Sequence, residues 1–258
     1  MPELPEVETL CRQLRKTIVG KTLLKTVTLD NKLPDYSELI DQRVISVHRR
    51  GKNIILTFDD GQVLAVHLRM TGRLLWQEAE METPQYTRFI MIFPTGRISF
   101  IDPRRFLTLS RESTSPRVCG PDPLAGIDPL YLANRSQSRK GPIKTFLLDQ
   151  EVIAGIGNIY ACEILHRAGI APSRPACCLT EREWQQILAA TDAVLIKAIA
   201  CRGSSISDWR DFRGDKGTFQ HELGVYGRAG LPCPRCGEMV TRLSLGGRGT
   251  YFCPGCQT

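Results

Sequence analysis

The amino-acid sequence predicts a multidomain α+β protein with a β-sandwich behind an N-terminal helix, then a helical domain, then a small cysteine-containing β-hairpin. Three observations predict this order. Short runs rich in β-branched and aromatic residues occupy positions 23–110, helical periodicity replaces them after Asp128-Pro129, and two Cys-x-x-Cys pairs lie near the C-terminus. A chain of 258 residues is long enough to bury a core. We place the domains at residues 1–115, 128–224 and 225–258, with a linker at 116–127.

The first helix is predicted over residues 5–19. Pro5 suits the first helical position, and Glu6 and Glu8 suit the positive end of the helix dipole. Apolar residues then recur at three- and four-residue steps until Gly20 ends the run. These apolar residues are Val7, Leu10, Leu14 and Ile18.

Seven short strands are predicted after this helix. The tight-turn signals Asp60-Gly61 and Pro94-Thr95-Gly96 separate two pairs of them. So many short strands behind one helix are typical of a β-sandwich or barrel. The predicted strands are Leu23–Leu29, Val44–His48, Asn53–Phe58, Gln62–Leu68, Arg88–Phe93, Arg97–Ile101 and Phe106–Ser110.

The second half of the chain has a helical pattern. Residues 111–127 contain three prolines and no clear period, which indicates a linker. Beyond them, Gly and Pro signals separate five helical runs, and residues 213–224 have the composition of a mobile loop. The predicted helices are 129–137, 142–149, 157–167, 180–200 and 205–212.

Composition favours a polyanion-binding protein from a reducing compartment. Lys and Arg total 34 against 27 acidic residues, a net charge of +7, although solubility alone also explains such an excess. Residues 43–52 contain four cations and no acid. We see no signal peptide and no stretch of about 20 apolar residues, and six of the ten cysteines are scattered. We therefore expect a cytoplasmic protein without membrane association.

The four C-terminal cysteines form the strongest local signal. Cys233 and Cys236 make one pair, and sixteen residues separate it from the second pair, Cys253 and Cys256. This spacing supplies four thiolates for a tetrahedral zinc ion on a β-hairpin. Because all four ligands are protein atoms, we expect one structural zinc without a catalytic role. Arg248 lies among three glycines near the hairpin tip, as either a solvated turn residue or a phosphate clamp.

The first three residues permit a chemical interpretation beside the helix start. Met1 precedes the small Pro2, a start from which the initiator is commonly removed. The trimmed chain would begin with a secondary amine, which attacks an aldehyde-like carbon to form an iminium, as lysine does in Schiff-base catalysis. Glu3 would lie where it donates or accepts the proton that this step moves. Residue spacing alone does not decide between this role and simple helix initiation.

Three further clusters suggest contacts with a polyanion. Gly155–Tyr160 is a glycine turn that opens a helix, a common anion site, although many helix corners contain glycine. Lys52 follows two arginines and a glycine. Met70 and Phe106 lie beside arginines, and apolar wedges with arginine fill the gap that an extruded base leaves in a duplex. Considered alone, such apolar residues more often belong to a core.

The segment PELPEVET at residues 2–9, the pair Ile143-Lys144, the stretch Gly155–Glu163 and the cysteine pairs follow the order of one known family. On these motifs, which span residues 2 to 256, the chain resembles the formamidopyrimidine-DNA glycosylase family, which removes oxidised purines from DNA. The resemblance implies a catalytic β-sandwich, a helix–two-turn–helix (H2TH) domain and a zinc finger. It also implies a bifunctional base-excision-repair enzyme that binds damaged duplex DNA as a monomer.

The same resemblance implies the site residues. Glu3 would assist loss of the damaged base, and the Pro2 nitrogen would attack C1′ to give an iminium that permits β- and then δ-elimination. Lys52 and Arg248 would orient phosphates and serve in proton transfer. The residues implied to contact or enter DNA are Met70, Tyr86, Arg104, Phe106, Arg139, Lys144, Asn158 and Tyr226.

Two positions depart from the family's pattern. Tyr86 lies in a segment where the family often has a phosphate-contacting histidine, and tyrosine forms hydrogen bonds but carries no charge. Arg69 stands where the family often has glycine.

Two alternatives stay open at this level. A sister family that excises oxidised pyrimidines shares the proline, the two-turn motif and the zinc finger, but the Glu3-Leu4-Pro5-Glu6-Val7 opening and the loop before Tyr226 favour the purine family. A non-catalytic DNA-binding protein would use the same helical and zinc modules, but it would need neither Pro2 nor Glu3.

Overall fold

The computed structural model describes residues 1–111 and 119–258, and the chain divides into two compact units. In the described part, the first unit contains residues 1–111 with 199–220, and the second contains 119–198 with 221–258. The predicted helical domain, 128–224, therefore includes a segment that groups with the first unit. Residues 116–118 of the predicted linker lie outside the described residues.

The first unit is the predicted β-sandwich behind one helix. Helix α1 covers Leu4–Ile18. The strands are β1 (Lys25–Thr28), β2 (Val44–Arg50), β3 (Asn53–Phe58), β4 (Val63–His67), β5 (Arg73–Gln77), β6 (Thr87–Phe93), β7 (Gly96–Ile101) and β8 (Thr108–Arg111). Antiparallel pairing joins them into two four-stranded sheets, in the orders β1-β6-β7-β5 and β2-β3-β4-β8. Side chains from both sheets and from α1 form one hydrophobic core.

Helix α1 packs as its periodicity predicts. Val7, Leu10, Leu14 and Ile18 are completely buried in the core of the first unit. Burying these four side chains fixes the helix on the sandwich, because each buried aliphatic side chain contributes about 1.5–3 kcal/mol. The start of the chain is therefore attached to a rigid element.

Strand β5 is an element that the sequence does not predict. Its three adjacent apolar residues, Leu74, Leu75 and Trp76, lack the alternation of a half-buried strand. Pairing with β7 over the whole length of β5 imposes the extended conformation. A neighbour in space, not a local pattern, creates this strand.

The predicted helix at 205–212 is wrong. Trp209 and Phe212 have helical spacing, but both are buried in the sandwich core of the first unit. The Asp211 carboxylate accepts the backbone N–H groups of Arg213 and Asp215 at 2.9 and 3.0 Å, which holds a turn in place of a helix. The apolar residues of this segment therefore complete another core.

The second unit contains the four other predicted helices, apart from the last two residues of α5, and the predicted hairpin. The helices are α2 (Pro129–Ser136), α3 (Ile143–Leu148), α4 (Asn158–Ala168) and α5 (Glu181–Ala200), and the hairpin strands are β9 (Thr241–Leu245) and β10 (Arg248–Phe252). Helix α4 ends at Gly169, whose left-handed φ of 77° lets its N–H return to Leu165 and His166. The predicted loop at 213–224 contains only a short 3-10 helix at Phe219–His221.

None of the helices in residues 1–111 and 119–258 combines the length and apolar character that a membrane crossing requires.

Candidate functional site

A buried carboxylate holds the N-terminal segment in the first unit. One oxygen of Glu6 accepts the backbone N–H of Glu3 at 2.8 Å, and the other accepts the N–H of Ser204, also at 2.8 Å. Gly203 has a left-handed φ of 81°, and a Cβ at this position would lie 2.5 Å from Glu6 Oε1. Only glycine fits there, so the 203–204 segment reaches the start of α1 because it lacks a side chain.

Pro2 and Glu3 lie at this anchored end. Pro2 is buried and Glu3 is only 3 % exposed, whereas Met1 is 38 % exposed. A secondary amine released at Pro2 would therefore be held in place, with the Glu3 carboxyl one residue away. Such an arrangement suits an amine that attacks carbon while a neighbouring carboxyl moves a proton.

Lys52 lies at the turn between β2 and β3, and Arg49 ties this turn to helix α1. The Arg49 side chain is buried; its Nε donates to Glu8 Oε2 at 3.2 Å and its guanidinium donates to the Gly51 carbonyl at 3.1 Å. Lys52 is itself buried. The ion pair thus sets the position of the Lys52 backbone relative to the helix that begins beside Pro2.

His67, which sequence reasoning did not select, lies in the same part of the first unit. Its Nδ1 accepts the backbone N–H of Arg69 at 2.9 Å. Burial, followed by the positive charges of Arg69 and Lys52, lowers the pKa of His67 to about 4. The neutral ring therefore keeps its proton on Nε2 as a hydrogen-bond donor. In the sequence, His67 lies between Lys52, which is predicted to orient a phosphate, and Met70, which is predicted to enter the duplex. This position is the sequence signal that could have identified His67.

One carboxylate connects the two loops that carry the predicted wedge residues. Asp102 accepts the hydroxyl of Thr71, next to Met70, at 2.5 Å. It also accepts the backbone N–H groups of Arg104, Phe106 and Leu107 at 3.1, 2.7 and 2.6 Å. A single buried side chain therefore fixes both loops in relation to each other.

The wedge residues themselves are exposed. Met70 is 47 % exposed and Phe106 is 49 % exposed, so neither is a core residue. The Arg104 guanidinium lies 4.8 Å from the centre of the Phe106 ring, a cation–π distance. Exposed apolar side chains on a rigid, arginine-containing edge are what insertion into a stacked duplex requires.

Tyr86 is also exposed, and it belongs to the same edge. Its backbone has a left-handed φ of 64°, and its carbonyl accepts the N–H of Asp102 at 3.0 Å. Nearby, Asp30 accepts hydrogen bonds from Arg105 and from Arg88, the latter at 2.5 Å. The Arg105 hydrogen bond is the main reason that the pKa of Asp30 lies well below its usual range.

In the second unit, a buried lysine connects three elements. Lys144 in α3 is completely buried, and its ammonium donates to Asn158 Oδ1 at 2.5 Å, Thr250 Oγ1 at 2.7 Å and the Gly249 carbonyl at 3.2 Å. Asn158, the first residue of α4, also donates to the Gly249 carbonyl at 3.0 Å. The turn before α4 and strand β10, which begins with the exposed Arg248, therefore form one assembly.

The two other predicted DNA-binding residues of the second unit have different settings. Arg139 is half-exposed and lies 3.7 Å from the Asp149 carboxylate. The Tyr226 ring packs on Tyr251 with ring centres 5.0 Å apart. Its backbone N–H and those of the two preceding residues all donate to buried Glu163. This clamp ties the segment before the hairpin to α4.

The four cysteine sulfurs of the hairpin form a compact cluster. They all lie within 4.8 Å of one another, with Cys233 and Cys256 sulfurs 3.8 Å apart and Cys236 and Cys253 sulfurs 3.4 Å apart. A tetrahedral zinc ion with zinc–sulfur distances of about 2.3 Å places its ligands roughly 3.8 Å apart, so the cluster fits zinc. Nε2 of His166 lies 3.3 Å from Cys233 Sγ, where a ring N–H supports a thiolate.

Family models match three successive parts of the chain. Residues 1–109 match the formamidopyrimidine-DNA glycosylase N-terminal domain, residues 119–210 match the formamidopyrimidine-DNA glycosylase H2TH domain, and residues 230–258 match a zinc finger found in FPG and IleRS. Together with the sulfur geometry, the last match shows that the four cysteines bind one structural zinc ion.

Similar proteins match over the whole chain. A formamidopyrimidine-DNA glycosylase of Desulfitobacterium hafniense is 40 % identical, with complete coverage of both chains. A Lactococcus lactis FPG mutant, solved with Fapy-dG containing DNA, is 32 % identical, with a TM-score of 0.92 and complete coverage of both chains. The MutM (FPG) protein of Thermus thermophilus is 39 % identical, with a TM-score of 0.90 over 99 % of this chain and 98 % of that one.

Proposed function

This chain belongs to the formamidopyrimidine-DNA glycosylase family, and we propose that it is a bifunctional enzyme that excises oxidised purines and then cleaves the DNA strand. As a member of this family, the chain is a DNA glycosylase that acts in DNA repair. The proposed substrates are 8-oxoguanine and formamidopyrimidines in duplex DNA, and the Lactococcus relative is found with Fapy-dG containing DNA. The observation that carries the proposal is the buried Glu6, which holds Glu3 and the Ser204 segment around the N-terminus.

The proposed reaction begins after Met1 has been removed. The Pro2 nitrogen attacks C1′ of the damaged nucleotide, the bond from C1′ to the base breaks, and the departing base takes up a proton. Glu3 supplies a proton for base departure or for the ring oxygen O4′. The attached nitrogen loses its own proton and so regains a lone pair, which expels O4′ from C1′. O4′ takes up a proton, and an iminium remains between protein and sugar. We assign this role to Glu3 because it directly follows Pro2 in the chain and its backbone is anchored by Glu6.

Strand cleavage follows from the iminium. The iminium acidifies the C2′–H bond, and loss of this proton expels the 3′ phosphate in a β-elimination. A second, δ-elimination expels the 5′ phosphate. Lys52 and Arg248 are proposed to orient phosphates and to assist these proton transfers. The zinc ion supplies folding stability to the hairpin that carries Arg248, and every chemical step belongs to protein side chains and the N-terminal amine.

DNA binding is proposed to use both units. Met70, Arg104 and Phe106 enter the duplex where the lesion is extruded, which their exposure and shared attachment to Asp102 support. Tyr86, Arg139 and Tyr226 are proposed as surface contacts. Asn158 offers the helix N-terminus of α4 to a phosphate. Lys144 acts through Asn158 and β10, because its ammonium is buried against them.

We also propose that the enzyme works as a monomer in the cytoplasm. The six cysteines outside the zinc cluster are free thiols, which fits a reducing compartment.

Borohydride trapping tests the chemistry. Reduction of the iminium should join the trimmed chain covalently to lesion DNA, and peptide mapping should place the adduct on the Pro2 nitrogen. A form that retains Met1 has an amide nitrogen at Pro2, so it should lose both excision and trapping. An adduct on Lys52, or full trapping with Met1 present, would overturn the mechanism and leave the family assignment intact.

Glu3→Gln separates the two half-reactions. This variant keeps the shape but has no proton to donate, so excision of an intact lesion should fall by about 10²–10⁴-fold. Cleavage at an abasic site, where no base must leave, should fall much less. Glu78→Gln, at an exposed position in the same unit, is the matched control and should leave both rates unchanged.

A further inference from the structure

Arg69 adopts a backbone conformation that favours glycine. Its φ is +56°, in the left-handed region, and it immediately precedes the exposed Met70. L-residues with a Cβ rarely adopt this conformation, whereas glycine adopts it freely. The hydrogen bond from the Arg69 N–H to His67 Nδ1, at 2.9 Å, holds the backbone there. The chain therefore has an arginine at a position where glycine would be less strained.

The side chain of Arg69 is not used to hold the fold. It is exposed, and within residues 1–111 and 119–258 its guanidinium makes no hydrogen bond or ion pair. Two nearby arginines contrast with it, because Arg88 and Arg105 both bind Asp30. A strained conformation retained without an internal contact suggests that the side chain acts on something outside the protein.

The surroundings of Arg69 indicate an anion. Lys52 and Arg69 both act electrostatically on His67, so two cations lie close to one ring. The proton on Nε2 of this ring adds a neutral donor, because Nδ1 accepts from Arg69. Within the described residues, no carboxylate forms an ion pair with the Arg69 guanidinium. Lysine, arginine and a histidine N–H side by side are suited to phosphate oxygens.

We propose that Arg69 is a further DNA contact, whose guanidinium binds a backbone phosphate beside the point where Met70 enters the duplex. This inference rests on the proposed function, since it requires Met70 to enter DNA. A wedge that enters the stack brings its own loop close to the phosphates, and the residue before the wedge is then well placed to bind one. The arginine at this position adds affinity for DNA at the expense of local backbone strain.

Arg69→Gly should change DNA affinity without lowering the melting temperature, whereas the loss of a purely structural residue would lower both. Glycine relieves the backbone, so the melting temperature should stay the same or rise. Affinity for a duplex with an abasic-site analogue should fall by about tenfold at low salt, because a charge-assisted hydrogen bond is lost. The slope of log K against log salt should fall by about one. Arg69→Lys keeps the charge, so it should restore the slope and only part of the affinity.

Asp41→Gly is the matched control. Asp41 also has a left-handed φ, of 66°, in the first unit, and it is exposed. This variant should show the same thermal behaviour as Arg69→Gly and unchanged DNA affinity and salt slope.

The outcomes separate the two proposals. If Arg69→Gly binds DNA like the wild type with the same slope, or if it loses affinity and melting temperature together, the inference about Arg69 is overturned. If Arg69→Gly shows the expected loss of affinity and salt slope but the wild type forms no borohydride adduct, the proposed chemistry fails and the Arg69 contact stands. A wild-type chain without affinity for duplex DNA overturns both.

Discussion

The ammonium of Lys144 donates a hydrogen bond to Asn158 Oδ1 at 2.5 Å, inside the second unit and away from solvent. Its other bonds reach Thr250 Oγ1 and the Gly249 carbonyl on strand β10. A buried charge is tolerated only when its donors are satisfied, and here three acceptors from two distant segments satisfy it. The residue that the sequence predicts as a DNA contact therefore connects Asn158, another predicted contact, to strand β10, which begins with Arg248.

Lys144→Met tests this connection. Methionine keeps the length but removes the lysine donor from Asn158 Oδ1 and Thr250 Oγ1, whereas the Gly249 carbonyl keeps its hydrogen bond from Asn158. Each buried acceptor left without a donor lowers the unfolding free energy by about 1–3 kcal/mol. We expect a lower melting temperature together with weaker DNA binding, measured by calorimetry and by titration of a lesion duplex. Lys140→Met, at an exposed lysine of the same unit, should leave the melting temperature unchanged. An unchanged melting temperature in Lys144→Met would contradict the structural connection.

Removal of the zinc ion should affect the hairpin selectively. Chelation, or Cys233→Ser, should abolish the fixed structure of residues 230–258 and weaken DNA binding, because zinc contributes about 10–16 kcal/mol to the folding of such a module. Hydrogen exchange should show lost protection there and retained protection in the first unit. Cys177→Ser, outside the cluster, should change neither. Unchanged DNA affinity in the metal-free protein would contradict the structural role.

The wedge residues should affect catalysis more than binding. Met70→Ala and Phe106→Ala remove exposed apolar groups, so both variants should keep their stability and their salt slope. Excision from duplex DNA should fall strongly, because the gap left by the extruded base is no longer filled. Cleavage of an abasic site in single-stranded DNA should fall little. Met81→Ala, a comparably exposed methionine of the first unit, is the control. Equal losses on both substrates would argue against insertion.

His67 should make the first unit sensitive to mild acid. Its pKa in the folded chain is about 4, lowered by burial and then by Arg69 and Lys52, from an ordinary value of 6.5. As the pH falls below 6.5, the unfolded chain binds the proton before the folded chain does, so the unfolding free energy decreases until about pH 4. Above pH 6.5 this residue adds no pH dependence.

The measurement is the unfolding free energy of wild type minus that of His67→Gln across pH 4–7. This difference should decrease as the pH falls through the window. A constant difference would show that His67 titrates equally in both states.

Local patterns in the sequence determine much of this protein. The apolar spacing of Val7, Leu10, Leu14 and Ile18 predicts helix α1, since a helix of 3.6 residues per turn places them on one face. The two Cys-x-x-Cys pairs predict the zinc cluster, because a short hairpin brings such pairs together without help from the rest of the chain. Both predictions depend only on residues close in sequence, and both are confirmed.

Tertiary structure decided the features that depend on residues far apart. Lys144 meets Thr250, 106 positions away, and no local pattern distinguishes this buried lysine from a solvated one. Asp102 accepts the hydroxyl of Thr71, 31 positions away. Trp209 packs into a core formed mainly by residues of the first half of the chain, and its segment therefore does not form the helix that its spacing predicts. Periodicity in the sequence indicates which face of a helix or strand is apolar. It does not indicate which segment packs against that face or which groups bind a buried charge, because both depend on distant segments that pack together and satisfy one another's hydrogen bonds.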